Sequence, residues 1–176
     1  MKDSPDFGDA LIKAIPNLRA FAHSLSGDSQ LSNDLVQETL LKAWSHKDSF
    51  VPDSNLKAWL FTILRNTFFT HYRKAQREEL DEDQAAMNAS VPATQLVHLE
   101  FDDVQTALMR LSPDHREALL LITAEGFSYE EAARVCGCAV GTMKSRVNRA
   151  RSRLLDETTG QHKPDALPRA RRSTSR

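Results

Sequence analysis

Two cysteines, six glycines and seven prolines are all that 176 residues contain of the residue types that staple, hinge or break a chain. Each scarcity removes a class of protein. Cys136 and Cys138, one residue apart, cannot build a disulfide framework, and with no histidine beside them they do not complete a metal ligand set. They read as two small residues packed in a turn. His23, His46, His71, His98, His115 and His162 form no pair at helical spacing beside carboxylates, and no glycine-rich phosphate loop occurs. The chain is therefore expected to be no enzyme and to need no metal or other cofactor. No apolar run approaches the ~20 residues that cross a bilayer. The start, MKDSPDFGDALIKAIPNL, lacks the uninterrupted apolar core of a secretory signal, which places the protein in the cytoplasm and off the membrane. An excess of one charge is missing too. Lys plus Arg number 23 against 24 Asp plus Glu, a net charge of -1, which excludes a protein that coats nucleic acid by itself.

Charge is instead sorted along the chain. Basic residues gather in 65–77, in 144–153 and in the tail, and acidic ones in 78–83 and 100–103. Such sorting suits two local contacts with DNA and a protein partner elsewhere. Apolar periodicity is helical throughout, and no strand signal survives comparison with it. Leu11, Ile12, Ile15, Leu18, Phe21 and Leu25 mark a first helix over about 9–24, with Pro16 placed to shift or kink it. After the break at 27–29, a second helix runs to about 44 with Leu35, Val36, Leu40, Ala43 and Trp44 inward. The stretch 46–54 reads as a loop. A long helix over about 55–77 then carries Leu56, Trp59, Leu60, Ile63, Leu64, Thr67, Phe68 and Tyr72 at helical spacing. Trp59 and Phe68 read as core, whereas Phe61 and Phe69 suit core or surface equally. Beyond it, the charged and small residues of 78–95 make a flexible polar linker, with weak helix able to persist to Met87.

The second module spans 96–158 and a basic tail 159–176 follows, so the fold expected is all-α: two small helical domains, 8–77 and 96–158, joined by that linker. Phe101, Val104, Leu108 and Leu111 form one stripe, and Ser112-Pro113-Asp114 opens the next helix, which Gly126 closes. Ser128-Tyr129-Glu130-Glu131 has the form of a capping box, and Gly137 ends the short helix it starts. The segment GTMKSRVNRARSRL at 141–154 then separates its faces. Val140, Met143, Val147, Ala150 and Leu154 make a burying stripe; Lys144, Ser145, Asn148, Arg149 and Ser152 lie opposite, flanked by Arg146, Arg151 and Arg153. Capped helix, glycine turn and basic second helix follow in the order of a helix-turn-helix, whose second helix enters the major groove. Arg149 suits a bidentate contact to guanine, Lys144 a base or a phosphate, and Thr142 a phosphate at the positive end of the helix.

Three segments, DLVQETLLKAW at 34–44, NLKAWLFTILRNTFFTHYRK at 55–74 and GFSYEEAARVCGCAVGTMKSRVNRARSRL at 126–154, resemble the extracytoplasmic-function sigma factors of bacterial RNA polymerase, most of all the general-stress EcfG-type branch. The resemblance implies a first domain (region two) for core polymerase and the minus-ten promoter element, and a second (region four) for the minus-thirty-five element. It also implies promoter-specific initiation of stress genes, with the chemistry left to the polymerase. On that basis Asp34, Gln37, Glu38 and Leu41 would face the largest polymerase subunits. Asp53, Ser54, Asn55 and Lys57, with Phe50 nearby, would form the loop that receives an unstacked base, and Arg65, Asn66, Thr70 and Arg73 would continue that path. Thr142, Lys144, Ser145, Arg146, Asn148 and Arg149 would engage the upstream element. His71 stands where many relatives carry an acid, and the linker would run near nascent RNA. A small anti-sigma protein, itself controlled by a response regulator with a sigma-like domain, is the implied regulator. Two other functions remain open at this point: a sigma-like decoy that only binds the anti-sigma protein, and a stand-alone helix-turn-helix regulator. A decoy would need no basic recognition helix and would usually carry a receiver domain, while a stand-alone regulator leaves residues 34–74 unexplained.

Overall fold

The computed structural model describes residues 5–52, 54–85 and 101–158. Among the described residues there are seven α-helices, one 3-10 turn and no strand: α1 (Pro5–Ser26), α2 (Ser29–Ser45), the turn Lys47–Ser49, α3 (Leu56–Ala85), α4 (Phe101–Met109), α5 (Pro113–Thr123), α6 (Tyr129–Cys136) and α7 (Val140–Thr158). α1 runs unbroken through Pro16. Pro16 is exposed, so the hydrogen bond it cannot donate is lost on the side where water satisfies the freed carbonyl. Asp28 caps α2, its carboxylate accepting from the Leu31 N–H at 2.7 Å. Gly27, just before, has φ +74°, and a β-carbon there would lie 2.6 Å from the Met109 sulfur. α3 continues to Ala85, into the stretch expected as linker; the remainder of that stretch and the tail lie outside the described residues.

α1, α2 and α3 pack on one another, as do α5, α6 and α7. The two groups also meet: α1 against α4 and α5, and α3 against α6. Phe61, fully buried on α3, joins their cores, with its ring centroid 4.9 Å from that of Phe21 on α1 and 5.3 Å from that of Phe127 before α6. Arg116, buried on α5, adds a polar tie. Its guanidinium donates to the Leu108, Met109 and Leu111 carbonyls at 2.8–3.0 Å and to the Leu25 carbonyl of α1. A cation thus meets the orphaned carbonyls at the ends of two helices, where the helix dipoles favour it. Gln105 of α4 likewise donates to the His23 carbonyl at 3.2 Å.

Three inward residues of the sequence reading are corrected here. Trp44 is 52% exposed and Ile12 64%, and Val104, on α4, is 62% exposed. Each lies on a helix whose inward side is filled by other side chains: Leu35 and Ala43 on α2, Leu11 and Leu18 on α1, and Leu108 on α4 with Leu111 just after its end.

Candidate nucleic-acid interface

α7 is presented by two capped elements. The Ser128 backbone N–H donates to a Glu131 carboxylate oxygen at 2.9 Å, and Ser128 Oγ accepts from the Glu131 N–H at 3.1 Å. Gly137, at φ 62°, adopts the left-handed cap that turns the chain toward α7. Met143, Val147 and Ala150 are fully buried. Thr142, Lys144, Ser145, Asn148, Arg149 and Ser152 are exposed along the other side. Lys144 Nζ rests 5.8 Å from the centroid of the Tyr129 ring. Arg146 stands apart, half-buried with Nη2 3.3 Å from an Asp114 carboxylate oxygen, so it faces α5 instead of joining the exposed row. Beneath them His115 is held below its ordinary pKa, first by burial and then by the positive charges of Arg153, Arg149 and Arg146.

On α3 the expected polar path divides into two faces. Asn66, Thr70 and Arg73, four and three residues apart, are exposed together. Thr70 and Arg73 are tethered by their own helix, Thr70 Oγ1 donating to the Asn66 carbonyl at 2.8 Å and Arg73 Nε to the Phe69 carbonyl at 3.0 Å. Beside Asn66 lies a hollow of about 340 Å³, lined also by Lys42, His46, Ser49, Trp59, Ile63 and Thr67. It opens between the loop after α2 and the first half of α3. Ser54, exposed in that loop, donates its hydroxyl to the Val51 carbonyl at 2.7 Å. Asp53 lies outside the described residues.

The second face of α3 meets carboxylates of the other helical group. Asn55 caps α3, accepting from the Ala58 N–H at 3.0 Å, and donates to a Glu131 carboxylate oxygen at 3.0 Å. Lys57 Nζ lies 3.0 Å from a Glu125 carboxylate oxygen and donates to the Glu125 carbonyl at 2.7 Å, with its ammonium 5.0 Å from the centroid of the Phe127 ring. Arg65 Nε is 2.8 Å from Glu117 Oε1, an ion pair without the alignment of a hydrogen bond. Glu117 is wholly buried, and burial pushes its pKa up to about 7 even though Arg65 pulls it down. Burial also raises the thiol pKa of neighbouring Cys136, and among the described residues no cluster of three or more metal-ligating side chains occurs. Sequence reading missed these acidic partners, although Glu117 gave a signal: it shares a helical stripe with Leu120 and Leu121, where a carboxylate needs a partner.

α2 presents Asp34, Gln37 and Leu41 outward, Leu41 at 69% exposure. Trp44, three residues on, extends that face with an exposed ring. Glu38 is engaged at home, 2.7 Å from Lys42 Nζ and 2.8 Å from His71 Nε2; those two bonds hold its pKa below the ordinary value.

The Sigma-70 region 2 family matches residues 11–78, and the Sigma-70 region 4 family matches residues 101–154. The ECF RNA polymerase sigma factor EcfG of Rhodopseudomonas palustris is 58% identical over 83% of this chain and 81% of its own. This chain belongs to the extracytoplasmic-function (ECF) sigma factors. It is a promoter-directing subunit for bacterial RNA polymerase. A solved structure of the sigma factor RpoE with the anti-sigma factor NepR, from Bartonella quintana, is 50% identical and covers 90% of this chain and 100% of that one, with a TM-score of 0.77. The PhyRSL–NepR complex from Sphingomonas sp. Fr1 shares the fold alone, at 21% identity and a TM-score of 0.63 over 95% of this sigma factor and 98% of that chain. Fold therefore does not separate a sigma factor from that neighbour; the 58% identity to EcfG does. Among the described residues no helix is long and apolar enough to cross a membrane.

Proposed function

We propose that this sigma factor directs initiation at stress-response promoters from the cytoplasm. It reads the minus-ten element with α3 and the loop before it, and the minus-thirty-five element with α7, and performs no chemistry itself. The observation that carries this reading is the exposed row Asn66, Thr70, Arg73, whose first member lines a hollow of about 340 Å³ with room for an unstacked base, with Ser54 exposed in the neighbouring loop. The Asn66 amide nitrogen can donate to a base edge, while its oxygen already accepts from Arg65 Nη1 at 3.2 Å and has a second lone pair for a base. Thr142, Lys144, Ser145, Asn148 and Arg149 supply the second reading row, and Arg146 a charge behind it. Asp34, Gln37, Leu41 and Trp44, with Glu38 bracing the helix behind them, form the core-polymerase face.

Asn55, Lys57 and Arg65 have two employments in this reading. In the free protein they hold the second domain through Glu131, Glu125 and Glu117; in the polymerase complex the domains part and the three turn to promoter DNA. An anti-sigma protein of the NepR kind, itself controlled by a PhyR-like response regulator, keeps the sigma factor from that state. The NepR complex of the Bartonella relative supports this partner.

Run-off transcription from a promoter panel, with bacterial core polymerase and the purified chain, tests the reading. Promoter-specific transcripts that disappear with Asn66→Ala, and with Arg149→Ala on promoters that depend on the upstream element, are expected. Failure of both cognate and heterologous core to bind the chain or initiate with it would sink the proposal.

A further inference from the structure

The loop between α2 and α3 is bonded mostly to itself. The Ser49 N–H and hydroxyl both donate to the His46 carbonyl, at 2.9 and 2.7 Å. The Phe50 N–H donates to the Lys47 carbonyl at 3.2 Å, and the Ser54 N–H and hydroxyl to the Val51 carbonyl at 3.1 and 2.7 Å. Bonds of this range set the internal shape of a loop without fixing where it stands on the helices behind it. Two half-buried side chains supply that placement while Val51, Ser54 and Asn55 are exposed: Lys47, whose ammonium lies 4.9 Å from the centroid of the Trp44 ring, ties the loop to α2, and Phe50 ties it to α3.

Phe50 is held between two rings. Its centroid lies 5.3 Å from that of Trp59, at an interplanar angle of 50°, and 5.9 Å from that of Phe7, at 43°. Phe7, in the first turns of α1, also stands 6.4 Å from Trp44 and 6.5 Å from Trp59. One side chain therefore touches the last turn of α2, the loop and the first turn of α3, all at tilted geometries that favour aromatic pairs. Trp59 is also a wall of the hollow beside Asn66, and Ser49 and His46 of the loop are two more. A shift of Trp59 changes the shape of that hollow, and Phe50 bears on it through Trp59 and through Ser49, its neighbour in the loop.

We infer that Phe7 is a positioning residue for base selection at the minus-ten element: it closes an aromatic clasp on Phe50 and so fixes the loop against α3. The region 2 match begins at residue 11, so Phe7 stands outside the segment by which the family is recognised. The inference rests on the proposed reading of α3 and its loop as the minus-ten surface. It asks nothing of Phe7 by way of touching DNA. A binding site must be held to a fraction of an ångström by the packing behind it, and Phe7 supplies that packing here.

Holoenzyme assembled with the full chain carrying Phe7→Ala tests it, with initiation measured on promoters bearing single-base changes in either element. Discrimination at minus-ten positions should fall about tenfold, the scale expected when a positioning group is loosened. Discrimination at minus-thirty-five positions should stay within about twofold, and Phe7→Tyr, which keeps the ring, should restore the minus-ten preference. Amide hydrogen exchange of the free protein gives a readout independent of transcription: Ser49, Phe50 and Ser54 should exchange faster in Phe7→Ala, with the middles of α2 and α3 unchanged. Should Phe7→Ala fail to fold, Phe7→Leu keeps apolar volume without the ring and carries the same measurements. Equal losses at both elements, or unchanged exchange in the loop, would overturn the clasp. Asn66→Ala run alongside separates the two claims. If it alters minus-ten preference and Phe7→Ala does not, the clasp fails and the reading of the surface stands. If neither alters it, the surface reading fails and takes the claim on base selection with it.

Discussion

Arg65 and Asn66 are sequence neighbours that reach different surroundings, because a helix turns by about 100° per residue, although Arg65 Nη1 also donates to Asn66 Oδ1 at 3.2 Å. Asn66 faces the open hollow, while Arg65 lies against a buried carboxylate of another helix. Both were legible in the sequence as polar members of one DNA-facing path, and nothing local told them apart. A helix with polar residues on two sides has at least two polar partners, and hydrophobic periodicity identifies only what is apolar. On α7 the same reading succeeded more fully, because a single buried stripe there leaves one continuous exposed side. Even so, Arg146, expected on the flank of that side and in contact with the upstream element, leans toward α5, as its approach to Asp114 reveals. Two residues of this row should respond differently. Arg149→Ala is expected to cost about 1–3 kcal/mol of discrimination at one base position of the upstream element. Lys144→Ala should weaken binding across sequences and reduce its salt dependence, as loss of a phosphate contact does. Binding titrations of the holoenzyme on base-substituted promoters at several salt concentrations separate the two, and unchanged preference with Arg149→Ala would remove it from the reading row.

Caps made the helices of the second domain readable in advance. Ser128 and Glu131 form both bonds of the capping box, and Gly137 takes the left-handed conformation that glycine permits. Ends without such signals are less sharply read: α1 begins at Pro5, ahead of the start expected near residue 9, and α3 runs on to Ala85, within the weak helix that the sequence allows to Met87, because charged residues sustain a helix as well as a linker. The box also does a second task here. Glu131 accepts from Ser128 with one oxygen and from Asn55 of α3 with the other, at 2.9 and 3.0 Å, and the Ser128 bonds hold its pKa below the ordinary carboxylate value. Ser128→Ala should therefore destabilise the protein by about 1 kcal/mol, the usual cost of losing a capping hydroxyl. Urea unfolding measures this directly. A loss confined to a few tenths of that value would mean that the backbone N–H bond to Glu131 carries the cap alone.

At the scale of the whole molecule, no local pattern announced that the two helical groups meet. Glu117 and Arg65 lie far apart in the chain, and their pairing depends on the path between them. The chemistry of that pair makes the contact sensitive to protons. Glu117 is faced by Arg65 from α3, Cys136 from α6, Asp114 on its own helix and Arg146 from α7, and burial outweighs the cations, so its pKa stands at about 7 against an ordinary 4.5. In an unfolded chain, or in an open one where loss of the α3 cover lets water reach it, the carboxyl regains the ordinary value. The closed state binds the proton more tightly, so the stability that Glu117 contributes is complete below about pH 4.5 and is lost as pH rises through about 7. The gap corresponds to on the order of 3 kcal/mol. His115 slopes the other way, since its lowered pKa makes the folded state the poorer proton binder and its contribution grows as pH rises toward 6.5. Comparing the protein with its Glu117→Gln variant cancels that opposing slope. Between about pH 7.5 and about pH 5.5 the unaltered protein should gain melting temperature relative to the variant, and energy transfer between dyes on α3 and α5 should report a larger closed fraction in acid. An identical pH response of the two proteins would show that the Glu117 carboxyl is not what the closed arrangement titrates through. A shift in melting without a shift in energy transfer would confine its effect to the second domain and leave closure to Lys57 and Asn55.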